Sequence, residues 1–411
     1  MAKEAIIVGL DIGSQTIKIL GAVHDQNSDL YRVYFFEEVP SVGVSKGRIR
    51  DEKALTKKLA DLFEKIEEKY NIKLDTVISN ISGSRLELAG NRASISVGGA
   101  NGKVSEVDKE RVLEDVKAIN LGNNKKIIKI FPKEWSLDGE KEIADPFGLQ
   151  GIRLELDAAI LTCFSSDREI LDNAIFNAGV DIEDLIPTPF ADANAILNET
   201  QKELGVVLVD IGAGTTSMIV YEEGKLIDLA IFPVGASHIT NDIAIGLQTE
   251  INVAEKIKRE YGLGGSTNKK IEINTPSFLI DEDEEDVDEK NKLVFTEKNL
   301  KDITEPRVSE IFDFIKERLK VIGKEKLPAG VVITGGGANL KGLEEFAKKE
   351  FKLPAKIVCC DKFIGLERRD PAYSTVCGLI LTGSDFDGAE DLREEKGISS
   401  KIKDFFKNLV P

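Results

Sequence analysis

The chain has 411 residues, 72 acidic and 55 basic, and its formal net charge of -17 excludes nucleic acid as a partner for the body of the protein, because that binding rests on neutralising phosphates. Its 42% hydrophobic and 31% charged residues describe a globular protein long enough for two or more cores, with no apolar run of membrane-spanning length. The only two histidines, His24 and His238, exclude a histidine-rich metal site, and four cysteines without a CxxC spacing read as buried free thiols in a reducing compartment.

Residues 5–10 are too short an apolar stretch for a secretory signal and run straight into Asp11. Residues 6–20 are apolar on both sides of Asp11-Ile12-Gly13-Ser14-Gln15-Thr16, which predicts a buried hairpin. Residues 31–39 read as a strand, 40–50 as a glycine-punctuated loop, and 51–70 as a helix with Leu55, Leu59, Leu62, Phe63 and Ile66 on one face. A strand at 77–81 follows. Residues 84–162 are too many for a structureless loop and predict a small inserted subdomain. Its strands are expected at 93–97, 126–131 and 152–163, and its helix at 107–120. Helices are then expected at 167–177 and 190–197, the second crossing between two halves of the molecule.

The second half opens at Gly205 with residues 206–220, a second hairpin whose turn is Asp210-Ile211-Gly212-Ala213-Gly214-Thr215-Thr216. Its bare amides can make a concave anion site, the hydroxyls of Thr215 and Thr216 add donors, and Asp210 leaves the strand where a phosphate-bound metal would sit. A tight hairpin without a ligand explains one such turn equally well. The same grammar at Asp11-Ile12-Gly13-Ser14 tips the balance, as does a third strand, 331–334, running into Gly335-Gly336-Gly337. Between them Ala254 opens a helix that ends at Gly262. The like-charge run 281–289 reads as a solvated loop. A long helix is expected to start at Thr304-Glu305-Pro306-Arg307 and reach Ile322. Residues 383–397 read as a polar linker.

Four pieces in this order resemble the nucleotide signature of the actin-like ATPase superfamily. With the insertion at 84–162, the segment Gly148-Leu149-Gln150-Gly151-Ile152-Arg153-Leu154, the helix start at Thr304–Arg307 and an amphipathic terminus, the chain resembles the FtsA family of bacterial actin-like cell-division proteins. The resemblance implies an α/β actin-like ATPase fold of two ribonuclease-H-like halves. It assigns 1–83, 163–190 and about 360–382 to the first half and 84–162 to the family's 1C subdomain. Residues 191–359 form the second half, with an FtsZ-facing part at about 250–305, and residues 398–411 form a membrane-targeting helix.

The implied cofactors are ATP and Mg²⁺. Asp11 and Asp210 would position the metal. Gly13, Ser14, Gln15, Thr16, Lys18, Gly212, Ala213, Gly214, Thr215 and Thr216 would serve the phosphates. Glu255 and Lys258, three apart on one helix face, would contact ribose and adenine, and Gly335, Gly336 and Gly337 would flank the adenine. An exposed ion pair accounts for Glu255 and Lys258 without a ligand. In filament-forming relatives such as MreB a glutamate precedes the proline of the crossing helix; here Thr188 precedes Pro189, and Asp192 follows one turn on. The resemblance therefore implies an ATP-binding scaffold with slow or negligible hydrolysis and no assigned catalytic residue. It polymerises at the cytoplasmic face of the membrane at the division site. Arg307 would pair with an acidic group of the FtsZ C-terminal tail.

The alternatives on the same fold are a small-molecule kinase, for which no base for an acceptor hydroxyl is found, and a chaperone-like ATPase, which would need a substrate-binding β-domain after residue 383. The tail favours the scaffold. Ile398, Ile402, Phe405, Phe406, Leu409 and Val410 fall on one helix face beside Lys401, Lys403 and Lys407, which fits an anionic membrane surface.

Overall fold

The apolar runs on either side of Gly13 fold back on each other as β1 (Ile7–Ile12) and β2 (Thr16–Asp25), with Asp11 opposite Lys18. They belong to a computed structural model that describes residues 6–25, 28, 30–98, 100–119, 121–122, 124–274 and 292–386. β3 (Leu30–Pro40) pairs with β2, and a small ribbon of β4 (Val44–Ser45) and β5 (Arg48–Ile49) leads to α1 (Glu52–Tyr70). The Asp51 side chain caps this helix by accepting a hydrogen bond from the Ala54 amide, and Leu55, Leu59, Leu62, Phe63 and Ile66 are the buried face, as its periodicity predicts. β6 (Thr76–Ile81) then runs parallel to β1.

The next strands leave this sheet for one of their own. β7 (Glu87–Ser96), β8 (Lys125–Leu137), β9 (Glu140–Ile143) and β10 (Arg153–Phe164) lie in the order β7-β10-β8-β9, with α2 (Glu106–Lys117) packed on them. Val112 and Val116 of α2 join Ile95, Leu154, Leu156 and Ile160 in a separate core. Asn120, the expected last residue of that helix, lies outside the described residues. β8 does not stop before Pro132 as expected, because a bulge between Pro132 and Glu134 accommodates a residue that cannot donate to the ladder.

α3 (Ser165–Phe176) leads to β11 (Asp181–Pro187), parallel to β6 and unassigned from sequence because its first half is polar. After α4 (Thr188–Ile196) and α5 (Glu199–Leu204) comes the second hairpin, β12 (Val206–Ile211) and β13 (Thr216–Glu222), extended by β14 (Lys225–Phe232). α6 (Ala236–Gly246) and α7 (Ile251–Tyr261) follow, then a ribbon of β15 (Lys270–Asn274) and β16 (Lys292–Thr296), and α8 (Glu297–Val321). β17 (Val331–Thr334), α9 (Leu343–Phe351), β18 (Ala355–Ile357), β19 (Phe363–Ile364) and α10 (Ser374–Phe386) complete the described chain.

The first sheet has the order β11-β6-β1-β2-β3-β19 and the second β14-β13-β12-β17-β18. In each, three antiparallel strands are continued by two parallel ones, so β1-β2-β3, β6 and β11 correspond to β12-β13-β14, β17 and β18. α4 packs on β12 and β13, and α10 packs on β1, β2, β6 and α4. A Cβ built on Gly378 would stand 1.9 Å from the Ala191 carbonyl oxygen, so α4 and α10 meet backbone to backbone.

The ends of α8 and α10 also differ from expectation. α8 starts at Glu297 and carries Pro306 inside it, because Thr296 and Asn299 form a reciprocal cap upstream and Leu300, Thr304 and Val308 already share the buried face. α10 runs on through 383–386, with Gly383 passing close to Ile78, so those residues are helix where a linker was expected. The rest of the linker, the run 281–289 and the amphipathic residues Ile398, Ile402, Phe405, Phe406, Leu409 and Val410 lie outside the described residues. Among the described residues no helix is long and apolar enough to cross a membrane.

Candidate functional site

Asp11 and Asp210 end corresponding strands and face the α4–α10 pair. Their surroundings differ. Asp11 is buried, and its carboxylate accepts hydrogen bonds from Asn80 Nδ2 at 2.9 Å and Lys18 Nζ at 3.2 Å. Asn80 is itself held: its Oδ1 accepts from the Ile12 amide at 2.8 Å, and its amide donates to Thr188 Oγ1 at 3.1 Å. Asn80 escaped the sequence reading, although a polar side chain near the end of an otherwise apolar strand is the available signal. Asp210 stands opposite Ser217 rather than a lysine, and its side chain has no hydrogen-bond partner among the described residues. The buried Ser217 Oγ has none either. Gly335, at the end of β17 with φ +87°, makes room for Asp210, since a Cβ there would stand 1.9 Å from Oδ1.

The two turns have one construction. The Gly13 amide donates to the Thr16 carbonyl at 3.1 Å and the Gly212 amide to the Thr215 carbonyl at 2.9 Å. Their tips meet across the halves: a Cβ on Gly214 would lie 2.8 Å from Ser14 Oγ, which accepts from the Gly47 amide at 3.0 Å. The amides of Ala236 and Ser237, opening α6, bind the carbonyls of Gly212 and Ala213 at 2.9 Å each. Gln15 is exposed. Thr216 is fully buried beside Ile211, on the face of the hairpin opposite to Asp210 and Ser217, so it does not share their side of the strand.

Charge shapes this floor. Burial disfavours the charged form of Lys18, but Asp11, Glu38 and Asp210 outweigh it and hold the ammonium above the usual lysine value. Burial, then the charge of Asp11, pushes the Asp210 carboxyl up to about 7, with Lys18 opposing. Asp192 on α4 is fully buried; burial, and next Asp210, raise its carboxyl well above the usual range, while its bond from Thr375 works the other way.

Glu255 and Lys258 form an ion pair of 2.7 Å on α7, and both reach α6. Thr240 Oγ1 donates to Glu255 at 2.6 Å, and Lys258 Nζ donates to the Ala236 carbonyl at 3.2 Å. Burial lowers the Lys258 value; for Glu255 the bonds from Lys258 and Thr240 outweigh burial and keep its carboxyl below the usual range. Gly336 begins a short 3₁₀ turn, and a Cβ on Gly337 would meet Ile211 Cγ2 at 2.5 Å. Arg307 lies within α8, not at its start, and is engaged inside the chain: its guanidinium grips Asp242 of α6 at 2.6 and 3.1 Å and also meets Glu310.

Two family models match the chain: "Cell division protein FtsA" over residues 207–378 and "SHS2 domain inserted in FTSA" over residues 83–162. The cell division protein FtsA of Bacillus subtilis strain 168 is 30% identical over 384 residues, which cover 92% of this chain and 84% of that one. The chain belongs to the FtsA family. The FtsA of Pseudomonas aeruginosa is 28% identical over 92% of this chain and 89% of its own, and that of Escherichia coli K12 is 26% identical over 98% and 96%. Among solved structures, the PilM-PilN type IV pilus biogenesis complex superposes with a TM-score of 0.64 at 15% identity, over 93% of this chain and 99% of that one. MreB5 of Spiroplasma citri bound to ADP superposes with a TM-score of 0.55 at 14% identity, over 94% and 99%. These two share the actin-like fold. This member of the FtsA family is thus an actin-like cell-division protein whose inserted sheet falls within the residues matched by the SHS2 model and just past them.

Proposed function

We propose that this FtsA-family chain binds ATP with Mg²⁺ between its halves, polymerises at the cytoplasmic face of the membrane at the division site and tethers FtsZ there, with slow or negligible hydrolysis. The observation that carries the nucleotide reading is the meeting of the turns at Ser14 and Gly214, which brings two sets of glycine-turn amides to one place. The residues present fit the cofactor. Gly335 lets the Asp210 side chain sit against the end of β17, and that carboxyl group has no hydrogen-bond partner among the described residues, so it is free to meet a cation. Bound Mg²⁺ supplies positive charge against the phosphates. Asp11 and Asp210 would hold it, Lys18 and the residues 13–16 and 212–215 would take the phosphates, and Glu255, Lys258 and Gly335–Gly337 would line the nucleoside. Slow turnover is supported by Thr188: in place of a glutamate it offers a buried hydroxyl already engaged by Asn80 and by the Ile81 carbonyl.

The FtsZ reading is supported by an open groove of about 450 Å³ lined by Leu247, Leu293, Val294, Phe295 and Ile303 together with the polar Gln248, Asn299 and Asp302. The Arg307–Asp242 pair lies one helical turn from it, so an acidic tail residue would compete with Asp242 for the guanidinium. The membrane reading rests on residues 398–411. The division into a first half (1–83, 163–190 and about 360–382), a 1C subdomain (84–162), a second half (191–359), linker and anchor belongs to the same proposal.

Calorimetry tests the site: Asp210→Ala is expected to weaken Mg-ATP binding by about tenfold or more, and unchanged affinity overturns the assignment. Flotation with anionic vesicles tests the anchor. Phe405→Glu is expected to release the protein while leaving ATP binding intact, and equal flotation of parent and variant removes the tail from the proposal.

A further inference from the structure

Asp192 is a fully buried carboxyl group with one oxygen in use. Thr375 Oγ1, at the start of α10, donates to Oδ1 at 2.8 Å, and Oδ2 has no hydrogen-bond partner. A lone hydrogen bond between two helices does not call for a carboxylate, since an amide or hydroxyl supplies the same acceptor without the cost of burying a charge. The position of α4 explains the choice better. α4 packs on the face of β12–β13 that carries Asp210 and Ser217: Leu208 and Ile219 of that face share a core with Ala193 and Leu197. The charged groups acting on Asp192 are Asp210, Asp11 and Lys18. With Asp192 itself, three carboxyl groups share this floor with one ammonium; burial and their mutual repulsion hold Asp192 and Asp210 toward the protonated form, and a divalent cation beside them would favour the ionised form of both. Among the described residues no three acidic side chains stand close enough to ligate a metal directly. Asp192 therefore acts at one remove.

We propose that Asp192 is a positioning residue for the divalent cation of this site: its Oδ2 accepts a hydrogen bond from the hydration shell of the ion held by Asp11 and Asp210, and Thr375 fixes the carboxylate for that task. The inference rests on the nucleotide and cation reading above. It couples α4, and α10 through Thr375, to the ion by way of its bound water.

The test compares the full-length parent with Asp192→Asn, which keeps the acceptor for Thr375 and removes the ability to ionise. ATP affinity is measured by calorimetry in EDTA and in Mg²⁺, and melting is followed in both. The variant is expected to bind ATP in EDTA within about twofold of the parent, to melt in EDTA no lower than the parent, and to lose on the order of tenfold of the gain in affinity that Mg²⁺ gives. An Mg²⁺ gain equal to the parent's overturns the inference. So does a variant that melts well below the parent in EDTA, which assigns Asp192 to helix packing. A parent whose ATP affinity ignores Mg²⁺ overturns the cation reading of the whole site, a result visible before any variant is made.

Discussion

The two hairpins carry the same turn and the same aspartate, yet one is self-sufficient and the other is not. Opposite Asp11 the ladder places Lys18, and Asn80 adds a second donor; opposite Asp210 it places Ser217, whose hydroxyl has no partner. The first half neutralises its own carboxylate within the fold. The second leaves its charge to be met from elsewhere. A repeated motif therefore does not imply a repeated role: Asp11 is part of a rigid, satisfied network, and Asp210 is the group whose state a ligand can change.

The comparison can be broken at several points. The largest effect is expected at Lys18. Lys18→Met leaves a buried carboxylate with Asn80 alone, and breaking such a pair typically costs about 3–5 kcal/mol, readable by urea denaturation; a loss below about 1 kcal/mol denies the internal neutralisation. A second effect is in pH. The Asp210 carboxyl, raised by burial and by Asp11 to about 7, binds a proton in the folded state that the unfolded chain gives up near pH 4. The stability this confers is full below about pH 4 and is lost as pH rises toward 7. Melting in EDTA across that window should fall in the parent and flatten in Asp210→Asn, whereas the same slope in both would place the shifted group elsewhere. At the partner site, Arg307→Glu sets a carboxylate against Asp242. It should weaken binding of an FtsZ tail peptide severalfold, with Asp242→Asn as the control that frees the guanidinium and should not weaken it. The smallest effect is expected at Ser217, where removing an unpartnered buried hydroxyl in Ser217→Ala should change stability by less than about 1 kcal/mol. A loss beyond about 2 kcal/mol shows that the hydroxyl has a partner in solution.

Both hairpins, α1 with its cap and buried face, and the glycine end of β17 were legible because local chemistry alone sets them: apolar runs flanking a turn, and a cap followed by a periodic face. α8 was misplaced because Pro306 looks like a helix start, while the Thr296–Asn299 cap that opens it is weaker in sequence than in space. The strand through Pro132 needed a bulge that only its partner β10 reveals. At the site, residue types were readable but their division of labour was not. Lys18, expected at a phosphate, is also the counter-ion of Asp11. Thr216, expected as a donor to the phosphates, lies on the face of the hairpin opposite to Asp210. Glu255 and Lys258 bind α6 as well as each other. Asp192 was noticed only as a residue one turn past Thr188, and its burial depends on α10, nearly two hundred positions away in the chain.

The contact between Gly378 and Ala191 has a mechanical consequence. Because the two helices touch through their main chains, with no side chain at Gly378 between them, a methyl group added there would run into the Ala191 carbonyl and force one helix off the other. The joint works as a gauge: it fixes the spacing of α4 and α10 at the least the two backbones allow, and with it the distance across which Thr375 reaches Asp192.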